Sequence, residues 1–206
     1  MPGLFNKKEF RDNCGFGLVA HTNGKKSHKV ILNSINALVS MTHRGGVGSD
    51  GKTGDGCGLL FDIDHAYFKN KIAEEQKKDL GEHFAVGQIF FTKKINTIIP
   101  KLEEILDKES LTLITTREVP VQKKILGKIA LDCLPNIYQI FIKPNSKDFN
   151  HQEFETKLIQ ARKFIEEIFM DDEVLYICSM SSKTIVYKGL MPVSYTHLTL
   201  PTILRV

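Results

Sequence analysis

A glycine-dense segment from Arg44 to Gly58 is the feature that most restricts how this chain can fold. Almost half of its residues are glycine, which is too many for a helix. Residues 28–42, which precede it, carry apolar side chains at helical spacing, and Ser27 is a plausible N-cap. Residues 59–63, which follow it, have the pattern of a buried strand. The sequence therefore predicts a helix, a long loop and a strand in this order.

Periodic segments outside this loop predict a mixture of helices and strands, either α+β or α/β. Helices are expected at 66–80 and 154–169, and at 94–106 with Pro100 as an interior exception. Strands are expected at 15–21, 84–92, 111–116 and 138–143, and as a hairpin of 174–178 with 184–187 across the turn 179–183.

The composition is that of a globular protein of one domain. The chain has 206 residues, of which 42% are hydrophobic and 25% charged. Its net charge of +4 arises from lysines scattered among acids, so we expect no nucleic-acid interface. No run of about 18 apolar residues is present, and we expect no membrane span.

The cysteines and the N-terminus indicate a cytoplasmic protein. The N-terminus lacks the apolar region of a secretory signal. The cysteines at positions 14, 57, 133 and 178 are widely and irregularly spaced, with no zinc-binding pattern. We therefore expect reduced thiols and no metal site.

Part of the glycine-dense segment has the letters of a phosphate-binding loop. Residues 46–53 match G-x-x-x-x-G-K-[ST], a pattern that can wrap backbone N–H groups around phosphates. Such a site needs a strand before the loop and a helix after it, because the helix N-terminus completes the anion site. The predicted order here is the reverse. A nucleotide-binding module at 46–53 is therefore the weaker alternative.

Cys14 is the candidate nucleophile. It follows a short polar leader, residues 1–13, and precedes the glycine-spaced segment Gly15-Phe16-Gly17. If the leader is removed, the thiol and a free α-amino group lie on the same residue. Reference pKa values of about 8.5 for a thiol and about 7.7–8.0 for an α-amine allow the amine to accept the thiol proton. Such a pair suits attack on an amide carbonyl, although a single cysteine is more often a small buried hydrophobe.

Four motifs together resemble one family. They are N-C-G-F-G at 13–17, M-T-H-R-G-G-V-G at 41–48, T-G-D-G-C-G-L at 53–59 and I-V-Y-K-G-L-M at 185–191. Their order and spacing are similar to the N-terminal class II glutamine amidotransferase domain of the glutamate synthase large subunit. The resemblance covers about residues 10–192. A different N-terminal-nucleophile amidohydrolase or amidotransferase is the enzymatic alternative.

The resemblance implies an α+β fold of the N-terminal-nucleophile hydrolase type, a four-layer αββα sandwich that is incomplete at the C-terminus. It implies a propeptide at 1–13 and a partial amidotransferase domain at 14–192. Cys14 would hydrolyse L-glutamine, and the ammonia would convert 2-oxoglutarate to L-glutamate in downstream domains of the same chain. FMN and an iron–sulfur cluster are implied for the intact enzyme and none for this fragment. Electrons would come from ferredoxin or a small NAD(P)H-oxidising subunit.

Substrate-binding or site-shaping roles are expected near Cys14, for Arg44, Gly45, Gly46 and Asp55. Arg44 either positions the active site or satisfies loop carbonyls. Asp55, like Asp50, is expected to form the loop by accepting nearby backbone N–H bonds. Packing or hydrogen-bonding roles are expected for the remaining candidates, His21 and His43, and core positions for Cys57, Cys133 and Cys178.

The sequence departs from the family at its C-terminal end. The H-N-G-like oxyanion element, and the arginine and aspartate that hold glutamine, follow the Y-K-G-L/M segment in the family, and no H-N-G occurs here. Loss of one oxyanion donor typically lowers the rate about 10²–10³-fold, so this fragment alone is expected to be inactive. Residues 193–206 resemble a translated sequencing adaptor and are interpreted as an artefactual tail.

Overall fold

The computed structural model describes residues 14–146, 150–169 and 175–192, which form helices and two antiparallel sheets. The helices are α1 (His28–Ser40), α2 (His65–Gln76), α3 (Ile99–Lys108), α4 (Lys128–Asp132) and α5 (His151–Phe169). The strands are β1 (Cys57–Asp62), β2 (Ala85–Phe91), β3 (Leu111–Glu118), β4 (Asn136–Pro144), β5 (Leu175–Ser181) and β6 (Thr184–Gly189). The α+β expectation is confirmed. The expected propeptide at 1–13 and tail at 193–206 lie outside the described residues and stay predictions.

The larger sheet has the strand order β3-β4-β2-β5 and is covered on one face by two helices. Helices α3 and α5 place their apolar stripes against this face, since residues three and four apart share one side of a helix. Fully buried side chains from both helices and the strands form this first core, among them Leu102, Leu106, Leu158, Ile140 and Ile177.

The opposite face of the larger sheet packs against a two-stranded sheet of β1 and β6 and against α2. Strand β1 alternates half-buried and exposed residues, so Leu59 and Phe61 point into this second core while Leu60 points away. Phe68 of α2 contacts Phe141 of β4 edge to face, at 5.6 Å between ring centroids. Helix α1 contributes the buried Ile35 to the same core and contacts β1.

A row of buried polar side chains crosses the larger sheet on this inner face. Arg117, Gln139, Gln88 and Ser179 are neighbours in the strand register, one on each strand, and each is less than 10% exposed. Such groups are costly to bury unless they are hydrogen-bonded. The Gln139 Nε2 donates to the hydroxyl of Tyr187 on β6 at 2.8 Å.

Two further bonds attach this row to its neighbours. Arg117 Nε donates to Glu75 Oε2 of α2 at 2.7 Å, and this bond lowers the pKa of the Glu75 carboxyl. The backbone N–H of Val186 in β6 donates to Ser179 Oγ at 3.1 Å. The polar row therefore fixes how α2 and β6 lie across the larger sheet.

The expected hairpin of 174–178 with 184–187 is wrong. Strand β5 pairs with β2 in the larger sheet, whereas β6 pairs with β1 in the smaller one. The short connection is held by Glu155 of α5, whose carboxylate accepts from Ser182 N and Ser181 Oγ. The chain thus changes sheets at a sharp corner.

The expected strand at 15–21 is also wrong for the described residues. Residues 14–20 have no regular secondary structure, and Phe16 and Leu18 are 92% and 89% exposed. Alternating residues form a strand only where a partner strand completes the backbone hydrogen bonds, and none of the six strands pairs with this segment. Pro100, in contrast, lies in the first turn of α3, where its missing N–H is tolerated.

Replacement of Tyr187 by Phe tests the bond between the two sheets. The change leaves the buried Gln139 Nε2 without its acceptor, and we expect a loss of about 1–3 kcal/mol in the free energy of unfolding. Tyr176→Phe is the matched control, because Tyr176 is 47% exposed and its hydroxyl accepts a bond from the surface residue Lys188; the loss in free energy of unfolding should stay below about 1 kcal/mol. Denaturant unfolding measures both, and an equal loss would contradict a special role for Tyr187.

Candidate active site around Cys14

Cys14 is exposed and lies beside the end of α1. The next residue, Gly15, packs so that a Cβ on it would be 3.6 Å from Met41 Sδ and 3.7 Å from Arg44 Cβ. Met41 ends α1, and a single turn of 3-10 helix at 42–44 leads to the Arg44 side chain. The first and second motifs of the sequence are therefore neighbours in space.

Arg44 is available for a ligand as far as the structure describes its surroundings. Its side chain is exposed, and no described residue forms a hydrogen bond or ion pair with its guanidinium. Neither loop carbonyls nor acids among those residues therefore occupy its donors, and a planar fork of this kind matches a carboxylate. This geometry favours a site role for Arg44 over a purely structural one.

Asp55 closes the base of the glycine-dense segment. Its Oδ2 accepts the backbone N–H of Gly46 at 2.7 Å, and its own N–H donates to the Gly46 carbonyl at 3.3 Å. A Cβ on Gly46 would be 2.7 Å from the same oxygen, so only glycine permits this approach. Asp55 thus holds the loop backbone through its bond to Gly46. Gly45 and Gly46 are exposed and connect this bond to Arg44.

The loop at 46–53 has the order of elements that argues against phosphate binding. It is preceded by α1 and a 3-10 turn and followed by β1, as the sequence predicted. Its halves pair with each other through a bridge between Val47 and Gly54 and a 2.7 Å bond from Gly48 N to the Thr53 carbonyl. The backbone N–H groups of Gly48, Gly51, Lys52 and Thr53 therefore donate to acceptors within the loop itself.

The four cysteines differ in how far their side chains are exposed to solvent. Cys57 is half-buried, its Sγ donates to the Met191 carbonyl at 3.6 Å, and burial raises its thiol pKa to about 11. Burial likewise raises the pKa of Cys178. Cys178 is buried, as predicted, whereas Cys57 is only half-buried and lies outside both cores. The core prediction is wrong for Cys133, which is exposed at the end of α4, because that short helix lies at the surface.

The histidines near Cys14 show little sign of acting as bases. His21 Nδ1 accepts the backbone N–H of Asn23 at 3.2 Å, and His43 is exposed within the 3-10 turn. The described residues contain no group of three or more His, Cys, Asp or Glu side chains that could hold a metal ion. Nor do they contain a helix with the length and apolar character needed to cross a membrane.

An apolar cavity of about 890 Å³ opens between the smaller sheet and the segment 119–137. Its walls include Leu60, Phe90, Leu134 and Gln88 of the polar row. The Gln88 Oε1 atom is buried and has no hydrogen-bond partner among the described residues. Neither Cys14 nor Arg44 is among the described residues that line it. Asp55 of the glycine-dense segment, in contrast, does line it.

Comparison with known proteins identifies one family. The model of the class-II glutamine amidotransferases matches residues 14–198, so the match begins at Cys14 itself. It confirms the N-terminal-nucleophile fold expected from the resemblance, with its two sheets and flanking helices.

Curated relatives are glutamate synthases from diverse organisms. The chain is 36% identical over 200 residues to glutamate synthase (NADH) of Saccharomyces cerevisiae, covering 91% of this chain and 9% of the relative. It is 35% identical over 193 residues to the glutamate synthase (NADPH) large chain of Bacillus subtilis, covering 92% and 13%. It is 37% identical over 191 residues to ferredoxin-dependent glutamate synthase 1 of Arabidopsis thaliana, covering 88% and 12%. The chain thus spans about a tenth of the length of these relatives.

Thiol labelling tests the difference in access among the cysteines. With iodoacetamide at pH 8, we expect fast modification of Cys14 and Cys133 and slow modification of Cys57 and Cys178, because thiolates react and burial disfavours them. Labelling of Cys57 should accelerate as the pH rises towards about 11. Peptide mapping by mass spectrometry gives the four rates, with the denatured chain as the control in which all four react. Cys57 reacting as fast as Cys14 in the folded chain would contradict this account.

Proposed function

This chain belongs to the class-II glutamine amidotransferases, and we propose that Cys14 is its catalytic nucleophile, acting on the side-chain amide of L-glutamine. The observation that carries the proposal is the exposed Cys14 thiol beside the Arg44 loop, at the residue where the family match begins. Removal of residues 1–13 as a propeptide would give Cys14 the free α-amine that such a nucleophile needs.

The reaction proceeds in two steps. The α-amine of Cys14 accepts the thiol proton, and the thiolate attacks the amide carbonyl carbon of glutamine. The C–N bond breaks, ammonia leaves with the proton from the amine, and a thioester of glutamate remains on Cys14. Water then attacks the thioester, with the α-amine again accepting a proton, and glutamate and the free thiol are released.

The neighbouring loop would shape the substrate site. The exposed guanidinium of Arg44 suits a carboxylate such as the α-carboxylate of glutamine. Gly45 and Gly46 leave room for substrate to approach the backbone, and Asp55 holds that backbone through its bond to Gly46 N. Among these residues, Arg44 is the one we expect to face substrate most directly.

The intact protein would be a glutamate synthase, in which ammonia from this domain converts 2-oxoglutarate to L-glutamate. The three relatives named above support this assignment. Downstream domains of the same polypeptide would hold FMN and an iron–sulfur cluster. The electron donor would be ferredoxin or a small NAD(P)H-oxidising subunit, since the relatives' names include NADH, NADPH and ferredoxin.

The domain boundaries and the location follow from the same assignment. Residues 14–192 would form part of the amidotransferase domain, and the family match runs to residue 198, into the tail that the sequence predicts to be foreign. A cytoplasmic location is supported by the four free cysteines, which are typical of a reducing compartment.

Substitution of Cys14 in the full-length polypeptide tests the proposed reaction. Cys14→Ala should lower glutamine-dependent glutamate formation at least about 10³-fold, because the attacking atom is lost, while formation from added ammonia should persist. Cys133→Ala is the matched control, a second exposed cysteine that lies outside the four motifs in the sequence, and should keep most of the activity with glutamine. Both substrates are assayed by 2-oxoglutarate consumption. Glutamine-dependent activity retained by Cys14→Ala would reject Cys14 as the nucleophile.

A further inference from the structure

We propose that Asp50 is a positioning residue for this active site, which it serves by fixing the glycine loop to α4. The inference rests on the proposed function, because it concerns how glutamine is presented to Cys14. Asp50 does not touch Cys14, and its part in the site is indirect. The hydrogen bonds of its carboxylate, the fit against α4 and the pairing within the loop carry the argument.

The Asp50 carboxylate accepts four hydrogen bonds. Its Oδ1 accepts the backbone N–H groups of Lys52 at 3.0 Å and Thr53 at 2.7 Å. Its Oδ2 accepts the Thr53 hydroxyl at 2.6 Å and the backbone N–H of Ile129 at 3.0 Å. These bonds, the one from the Thr53 hydroxyl foremost, hold the pKa of Asp50 well below its usual range. The carboxylate thus joins the tip of the loop to a helix 79 residues away in the chain.

The glycine loop packs so closely against the start of α4 that a side chain at Gly127 would not fit. Gly127 precedes α4, and a Cβ on it would overlap Asp50 Oδ2. The buried Thr53 adds a second link, since its Oγ1 accepts the backbone N–H of Ala130 at 3.2 Å. Three of the four donors to the Asp50 carboxylate are backbone N–H groups, with at least one on each oxygen. An asparagine there would therefore set its NH₂ group against a backbone N–H in either orientation.

Backbone pairing within the loop connects the Asp50 anchor to the residues beside Cys14. From Thr53 back to Gly46, the two halves of the loop are paired through Thr53–Gly48, Val47–Gly54 and Asp55–Gly46. Arg44 follows directly, against Gly15. A shift of the loop tip would therefore move Gly45 and Gly46 relative to the nucleophile.

This arrangement also accounts for the letters of a phosphate-binding loop. At the lysine and threonine positions of that pattern, the backbone N–H groups of Lys52 and Thr53 and the Thr53 hydroxyl donate to Asp50 rather than to a phosphate. The turn that would face a phosphate is filled by the carboxylate of the loop itself.

The test compares two reagents for Cys14 in the full-length polypeptide. A diazoketone analogue of glutamine must be positioned before it alkylates Cys14, whereas iodoacetamide needs only an accessible thiolate. For Asp50→Asn we expect the rate with the glutamine analogue to fall about tenfold or more, and the rate with iodoacetamide to stay within about twofold. Asp79→Asn is the matched control: Asp79 likewise accepts a loop N–H, from Gly81 at 2.9 Å, and its substitution should change neither rate.

Thr53 provides a second pair of variants that keeps the Asp50 charge. Thr53→Val removes the hydroxyl shared by Asp50 and Ala130 and should reproduce the selective loss, while Thr53→Ser keeps the hydroxyl and should restore the rate with the glutamine analogue. Unchanged rates in Asp50→Asn and Thr53→Val, or equal losses with both reagents, would overturn the positioning role. A wild-type protein that the glutamine analogue does not label at Cys14 would instead reject the proposed function.

Discussion

Anchoring of the glycine-dense segment on three sides is the constraint on which the candidate site depends. Its start lies against Gly15 and the end of α1, its tip is bonded to α4 through Asp50, and its end runs along β6 and the residues after it. A Cβ on Gly54 would be 2.6 Å from the Met191 backbone. A segment rich in glycine has a large conformational entropy to lose on folding, so its order must come from these external contacts.

The same contacts explain why the site needs both sheets. Strand β6 pairs with the end of the loop at Cys57 and Gly58. Hydrogen bonds of Tyr187 and Val186 attach β6 to the larger sheet. The buried polar row thus sets the position of β6, and β6 in turn sets where the loop leaves towards β1. Hydrogen bonds of this kind add little net stability each, but they specify one alignment of the two sheets.

The sequence predicted local structure better than pairing. Helical periodicity located α1 and α5, and the glycine-dense segment was correctly placed between a helix and a strand. The hairpin of β5 and β6 was wrong because alternation says that a residue faces a core, not which sheet supplies its partner. Strand β6 pairs instead with β1, as in Leu60 opposite Val186, a contact that no local pattern indicates.

For the candidate site, too, the sequence predicted the motif residues but not their contacts with distant segments. Cys14, Arg44 and Asp55 belong to motifs that the sequence displays, and the match to the family from Cys14 onward agrees with them. The partner of Asp50 could not be predicted, because Ile129 offers only a backbone N–H and its distance along the chain hides the contact. The core prediction for Cys133 is wrong for a related reason: a cysteine in the sequence does not show that α4 lies at the surface.

The central claim is that Cys14 acts as an N-terminal nucleophile, and the mass of the mature polypeptide tests it most directly. Intact-mass measurement with N-terminal sequencing of the full-length protein, purified from its own cells, identifies the first residue. The account predicts that the mature chain begins at Cys14, with residues 1–13 removed. A mature, glutamine-hydrolysing chain that begins at Met1 or Pro2 would contradict it.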